Sequence, residues 1–236
     1  MSTAIDPPHA SLSVIVPLAP AESEWPPLLQ QLAALPPDSE VVLVCADGVQ
    51  RLALAAWPAH LRYVTCRSEP GRARQQNLGA RMARGEWLWF VHADSRLRAN
   101  TLDALRDFVA KGDLALGWFT LAFRSDGPRG TALNAAGANW RARWLGLPFG
   151  DQGLLLPRSA FESLGGFDEQ VSCGEDHLLV WAARRAGLPL RHIPAVLETS
   201  ARQYARHGWL RTTWRHWRLT FVQAWPAWRA LRKGRT

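Results

Sequence analysis

The stretch PGRARQQNLGARMARGEWLWFVHADS, residues 70–95, decides the fold. Pro70-Gly71 opens it and Gly85 interrupts it, and the pattern between them predicts a helix over Gly71–Arg84. Glu86–Val91 is an apolar run of strand length and predicts a buried strand, with His92-Ala93-Asp94-Ser95 following at once. The same unit recurs upstream. Ser11–Leu18 and Glu40–Ala46 are short β-branched runs that predict buried strands, and Leu61–Cys66 predicts a third. Leu28, Leu29, Leu32 and Leu35 have helical spacing over Trp25–Leu35, stopped by Pro36-Pro37-Asp38. A helical stretch is expected after Asp47-Gly48, up to about Trp57-Pro58. Thr101–Ala110 predicts another helix. Alternating strands and helices predict an α/β fold with a mostly parallel, doubly wound sheet. In such sheets ligands sit beyond the carboxyl ends of the strands, which places Asp47 and Asp94 at one crevice.

The second half is less regular. Ala115–Phe123 predicts a strand, Thr131–Leu145 a helix, Gly153–Leu156 a short strand and Ser159–Leu164 a short helix. Glu175–Ala186 predicts a helix stopped by Gly187, and Gln203–Leu231 is helical in pattern with a break at Pro226. The 236 residues read as one domain: a nucleotide-binding half over 11–110, an acceptor half over 111–200 and a basic Trp/Arg-rich helical tail over 201–236.

Composition narrows the function. With 47% apolar residues the chain can bury a sizeable core. Met1–Ala10 lacks the pattern of a signal peptide, and no apolar run approaches membrane-spanning length, so a cytoplasmic location is expected. Cys45, Cys66 and Cys173, without C-x-x-C spacing, argue against a disulfide framework or a zinc site. The formal charge of +8, carried almost wholly by Arg, fits an anionic substrate, a nucleic acid or an anionic membrane surface.

Three places carry candidate chemistry. Asp94, at the end of an apolar strand, is placed to hold Mg²⁺ or Mn²⁺ on a diphosphate; the ordinary alternative is a turn cap. Gly71, Arg72 and Arg74 at a helix start suit an anion, against the ordinary reading of a solvated basic helix. Gly174-Glu175-Asp176 opens a helix, where acids are stabilised by the dipole; the functional alternative is a general base that takes a proton from a sugar hydroxyl.

These strings in order, G-R-A-R-Q-Q-N-L-G-A, H-A-D-S, G-D-Q-G-L-L-L-P-R-S-A-F-E-S-L-G-G-F-D-E and G-E-D-H-L-L, resemble family 2 glycosyltransferases over about Ser11 to Leu219. The resemblance is strongest to the radical-SAM/selenodomain-associated transferase 2 branch, which also shares T-S-A-R-Q-Y-A-R-H-G-W-L-R-T. It implies a GT-A fold, a nucleoside-diphosphate sugar donor, a divalent metal (Mn or Mg) and inversion at the anomeric carbon. By the same resemblance Pro17, Asp47, Arg72, Asn77 and Asp94 would bind the nucleotide sugar. Asp151 and Gln152 would line the acceptor side, Asp176 with Glu175 would be the catalytic base, and Asp94 with His207 would hold the metal.

The chain departs from the family pattern in three places. His92 stands where D-x-D has its first acid, the Gly-Ser-Thr-Asp run after the second strand is reduced to Asp47-Gly48, and Ala19-Pro20-Ala21-Glu22 replaces the first-strand Asn-Glu pair. The alternative reading is therefore a catalytically silent GT-A-like domain that binds a nucleotide or a partner. A nucleic-acid-binding role ranks last, since only charge and Trp/Arg interleaving support it. In the tail, tryptophans through Trp217 are expected to pack on the domain, while Thr220–Arg235 is open to a peripheral contact with the inner membrane face or to an oligomer role.

Overall fold

The computed structural model describes residues 11–20, 22–48, 57–171, 173–214 and 218. One eight-stranded sheet forms its spine, from β1 (Leu12–Leu18), β2 (Glu40–Ala46), β3 (Arg62–Ser68), β4 (Trp87–Phe90), β5 (Arg96–Leu97), β6 (Leu116–Phe123), β7 (Leu154–Pro157) and β8 (Leu190–Thr199). The strand order is β3-β2-β1-β4-β7-β6-β8-β5. Strands β3, β2, β1 and β4 run parallel, β7 is antiparallel to β4 and β6, β8 is parallel to β6, and β5 is antiparallel to β8. This is the mixed, mostly parallel α/β sheet of the GT-A fold.

Both faces of the sheet are covered, because successive strand side chains point to opposite sides. Val14 and Val16 face one apolar layer, which includes Leu28 and Leu32 of α1 (Trp25–Leu32) and Leu105 of α3 (Thr101–Ala110). Ile15 faces the other, with Ala73 and Ala80 of α2 (Arg72–Met82), Phe161 of α5 (Arg158–Ser163) and Trp181 of α6 (Glu175–Arg185). The second glycine of the GRARQQNLG string belongs to this packing. A Cβ on Gly79 would lie 2.5 Å from Ile15 Cγ2, so only glycine lets α2 approach the sheet this closely. The motif arginine Arg158 is likewise structural: it donates to Ala80 O and Gly85 O at 2.8–2.9 Å and ties the end of α2 to the start of α5.

Helices α3 and α4 (Thr131–Leu145) have the bounds the sequence predicts. Three features differ. Helix α1 ends at Leu32, so Leu35 is buried from the turn beyond it. Strand β8 was not foreseen, because its sequence L-R-H-I-P-A-V-L-E-T carries charges and a proline. Pro194 is accommodated at a register break, where Phe119 pairs with Ile193 but the next residue, Thr120, pairs with Val196. The predicted tail helix is broken early: α7 (Arg202–His207) ends at Gly208 with φ +81°, and residues 209–214 are again helical. Trp209 docks as expected, donating from Nε1 to Asn134 Oδ1 at 2.6 Å, whereas Trp214 is 67% exposed. The expected helix after Gly48, the Pro226 break and the Thr220–Arg235 role lie outside the described residues. Among the described residues no helix is long and apolar enough to cross a membrane.

Candidate active site

The site forms where the carboxyl end of β4 meets the turn before β7. Antiparallel pairing sets Phe90 opposite Leu154, so the chain just beyond β4 lies beside the 3-10 turn Gly150–Gln152 that precedes β7. A Cβ on Gly150 would be 2.9 Å from Asp176 Oδ2 and 3.2 Å from His92 Nε2, which shows how tightly these three positions converge. A side chain there would push the carboxylate or the imidazole out of place.

Asp176 stands in the first turn of α6. Its Oδ2 accepts from the Gly150 N–H and its Oδ1 from the His177 N–H at 2.8 Å. Burial pushes its pKa up, but the Arg72 guanidinium and these two N–H groups outweigh that and hold the carboxyl below its ordinary value. Asp176 is therefore ionised at neutral pH. Its neighbour Glu175 is 3% exposed and accepts from Arg72 Nε. Arg72 Nη1 also lies 3.3 Å from His92 Nε2. Burial, with Arg72 acting in the same direction, pushes the His92 pKa down to about 3, so the imidazole is neutral and its Nε2 accepts. Arg72 is exposed at the helix start, as its position in sequence led one to expect, but its Nε is engaged by Glu175. It is an electrostatic brace for the two acids of α6.

Asp151 in the 3-10 turn is within electrostatic reach of Arg141, Asp176, Arg72 and Asp94. Burial pushes its pKa up to about 6; Asp176 and Asp94 add to this, and Arg141 and Arg72 oppose it. Asp94 also titrates above its ordinary value, through burial first and then the nearby Glu22. Its Oδ1 accepts from Thr199 Oγ1 at 3.3 Å, and its Oδ2 lies 3.9 Å from Arg202, which is paired with Glu22.

Of four further expected site residues, two have their side-chain amides engaged by the protein and two are exposed. Asn77 uses its amide to hold the turn before α6. It donates to Phe167 O and Glu169 Oε1, each at 2.8 Å, and accepts from the Phe167 N–H at 2.9 Å. Gln152 is fully buried, accepting from the Phe149 N–H and donating to Phe119 O and Asn139 Oδ1. Both amides carry a donor and an acceptor, so a buried backbone turn satisfies them as well as a ligand would. His207 is exposed at the end of α7, and among the described residues no three His, Cys, Asp or Glu side chains gather to hold a metal. Asp47 is exposed just beyond the carboxyl end of β2, its N–H donating to Ser68 O at 3.1 Å, and Pro17 is buried within β1, paired with Val44 of β2. The residues after Gly48 lie outside the described ones.

The Asn77 geometry yields a prediction. Asn77→Ala should lower stability by about 1–3 kcal/mol, since it orphans the Phe167 N–H and C=O, and should leave nucleotide affinity unchanged. Thermal melts with and without a nucleoside diphosphate check both parts. A variant with normal Tm and weakened nucleotide binding would instead return Asn77 to the donor site.

Sequence reasoning missed Arg141 and Glu22. Arg141 stacks its guanidinium 3.4 Å from the Phe149 ring centroid and donates from Nε to Leu147 O at 2.9 Å, near Asp151 and Asp176. No local motif marks either residue; the partners of each are distant in sequence or supplied by turns.

The fold is that of the GT-A glycosyltransferases. The chain belongs to glycosyl transferase family 2, whose model matches residues 13–165, more than half its length. No curated protein matches it in sequence. Among solved structures it is similar to S. aureus TarS 1-349 in complex with UDP-GlcNAc, with TM-score 0.63, 18% identity, and coverage of 80% of this chain and 58% of that one. It is also similar to the mannosyltransferase PcManGT from Pyrobaculum calidifontis in complex with GDP-Man and Mn²⁺, with TM-score 0.57, 22% identity, and coverage of 78% and 56%. The chain thus spans less than two thirds of the length of either structure.

Proposed function

We propose that the protein transfers a sugar, with inversion, from a nucleoside-diphosphate sugar to a hydroxyl acceptor, using Asp176 as general base. The observation that carries this is the state of Asp176: an ionised carboxylate, braced by Arg72 and two backbone N–H groups, beside His92 just beyond the carboxyl end of β4. Each carboxylate offers about four lone-pair directions, so two backbone donors leave room for a third. The acceptor hydroxyl would donate there, its oxygen would bond to the anomeric carbon, and the bond from that carbon to the diphosphate oxygen would break. The proton passes to Asp176 and the electron pair leaves with the diphosphate.

The residues fit a divalent cation. Mg²⁺ or Mn²⁺ is commonly held by one or two carboxylates plus substrate phosphates. Asp94 supplies such a carboxylate: its Oδ1 accepts a single long bond from Thr199 and its Oδ2 is 3.9 Å from Arg202, which is paired with Glu22, so both oxygens keep lone pairs free for a cation. Asp94 would hold Mn²⁺ or Mg²⁺ together with the donor's diphosphate oxygens, and the cation's charge would stabilise the departing diphosphate. The UDP-sugar and the GDP-mannose with Mn²⁺ bound by the similar structures support a donor of this class.

The test is a thermal-shift series on the purified protein with Mn²⁺ and UDP, GDP, UDP-GlcNAc and GDP-mannose, followed by a transfer assay with whichever binds. Binding to the native state raises Tm, by about 2.7 kcal/mol of stabilisation at one hundred times Kd. Metal-dependent stabilisation with sugar release supports the reading. Nucleotide binding without turnover on any donor would support a catalytically silent domain instead.

A further inference from the structure

Helix α4 carries its small residues inward and its large ones outward. Its buried apolar residues are Ala135, Ala138 and Ala142, and the first two cluster with Leu121 of β6. Leu133 is 70% exposed, Trp140 58% and Trp144 71%. Gly137, where an added side chain would meet open space, lies between them. Positions 133, 137, 140 and 144 are spaced four, three and four residues apart, so they line one face of the helix. A surface helix ordinarily does the reverse, with its large apolar groups on the face that packs on the core.

The apolar surface continues onto the last described segment. Asn134 of α4 accepts from Trp209 Nε1 at 2.6 Å and donates to Thr213 Oγ1 at 2.9 Å. These bonds hold the helical residues 209–214 against α4. Leu210 and Trp214, each next to one of the bonded residues, are 74% and 67% exposed. Large apolar side chains gathered in this way on the outside mark a contact with something else.

Charge says what that partner is. All 20 Asp and Glu of the chain lie outside residues 127–150 and 199–236, which hold twelve of its 28 Lys and Arg. The whole positive excess therefore belongs to the two segments that carry the apolar patch, and the rest of the chain is slightly acidic. Arg129, Arg143, Arg206 and Arg211 are exposed there, and among the described residues none of them forms an ion pair. A second copy of the chain would set these arginines against their like, at an electrostatic cost. The residues beyond Trp214 are as basic and as empty of acids, so they do not neutralise the face either. An anionic bilayer answers both features. Indole rings settle at the headgroup level, and guanidinium groups pair with lipid phosphates.

We infer that the outer face of α4, continued by residues 209–214, docks on the surface of an anionic lipid bilayer, with Trp140 and Trp144 inserted at the headgroup level and the surrounding arginines held by lipid phosphates. Docking there does not depend on which reaction the site performs. It is peripheral and reversible, since a few inserted side chains and screened charges hold it.

The test is co-sedimentation of the whole chain with vesicles of phosphatidylcholine and with vesicles of an equal mixture of phosphatidylcholine and phosphatidylglycerol. Wild type should bind the mixed vesicles and not the neutral ones, more weakly as salt rises. Trp140→Ser combined with Trp144→Ser should weaken that binding about tenfold, and Arg143→Gln combined with Arg211→Gln by a similar factor. All four side chains are exposed, so both variants should melt within about 2 °C of wild type. Hydroxyl-radical footprinting of wild type reads the two tryptophans one by one: Trp140 and Trp144 should be oxidised in the free protein and protected on the mixed vesicles. Equal binding to both kinds of vesicle overturns the inference. So does unchanged binding in the tryptophan variant, which would move the contact to the residues beyond Trp214. Protection already present without vesicles also overturns it. Such protection at every protein concentration would mean that the chain's own last residues cover α4, and protection that grows with concentration would mean a second copy. Failure to bind either vesicle, with binding to RNA or to a polyglutamate peptide instead, assigns the face to that partner and overturns the bilayer.

Discussion

Replacing Asp176 by Asn should cut kcat for sugar transfer about a thousandfold while the folded protein binds its donor within about twofold of wild type. Removing a general base typically costs 10²- to 10⁴-fold. The variant should fold, because an Asn oxygen still accepts one of the two backbone bonds from Gly150 and His177; losing the other costs about 1–2 kcal/mol. Arg72 keeps Glu175 as its partner, so no cation is stranded. Transfer and donor binding are measured on the same preparation. Near-wild-type kcat in folded Asp176→Asn would remove Asp176 from the base position, and equal loss of donor affinity would mean that it holds the donor.

The pH dependence of wild type sharpens that result. The folded pKa of Asp176 lies below its ordinary value, so it stays deprotonated through the neutral range and its own limb falls below the usual carboxylate range. His92, pushed down to about 3, is neutral throughout. The limb within reach belongs to Asp151, at about 6. Below that pH Asp151 is protonated and its charge no longer supports the basicity of the Asp176 carboxylate, so kcat/KM should fall. In Asp151→Asn the limb near pH 6 should vanish, and a limb that persists there would belong to another group.

The second large effect is expected at Asp94. Asp94→Asn should lower kcat/KM by about 10²- to 10³-fold at saturating Mn²⁺ and abolish the Mn²⁺-dependent part of donor binding, in line with losses of several kcal/mol when charge stabilisation of a leaving group is removed. The ligand-free protein should not be weakened. A folded-state pKa above the ordinary one means that the folded state binds the proton more tightly than the unfolded state. The ionised carboxylate therefore opposes folding at neutral pH, and a neutral Asn removes that penalty. The single hydrogen bond at risk, from Thr199 at 3.3 Å, is long, and Arg202 keeps Glu22. Titration of Mn²⁺ against Tm with and without nucleotide reads the effect. An unchanged metal dependence in Asp94→Asn would place the cation elsewhere.

The uneven legibility of the sequence has physical causes. Strands β1, β2 and β4 are buried on both faces and read as continuous apolar runs, and α3 and α4 have recognisable stops, so local pattern located them within a residue or so. Strand β8 escaped because its proline is tolerated at a bulge that exists only against β6. The two-residue β5 is defined wholly by its partner, β8. In the site, Asp94 and Asp176 could be named as candidates because a carboxylate in a loop or at a helix start is a short list of possibilities, whereas Asp151 came from the family resemblance alone. Asn77 and Gln152 sit in the same strings, yet their amides were taken up by backbone groups at Phe167 and Phe119 that no local reading could reach.

The sequence by itself determined the alternating elements, the face that each strand and helix buries, and the ends of strands where carboxylates collect. These follow from periodicity and capping, which act over a few residues. Only the tertiary structure decided what each polar side chain does, because that depends on partners far along the chain. Arg72, though exposed, is bound to Glu175, His92 is kept neutral by burial and Arg72, and Asp151 and Arg141 each keep a buried polar atom with no hydrogen-bond partner among the described residues. Burial and charge act through space, so their effect on a given carboxylate is set once the chain has closed around it.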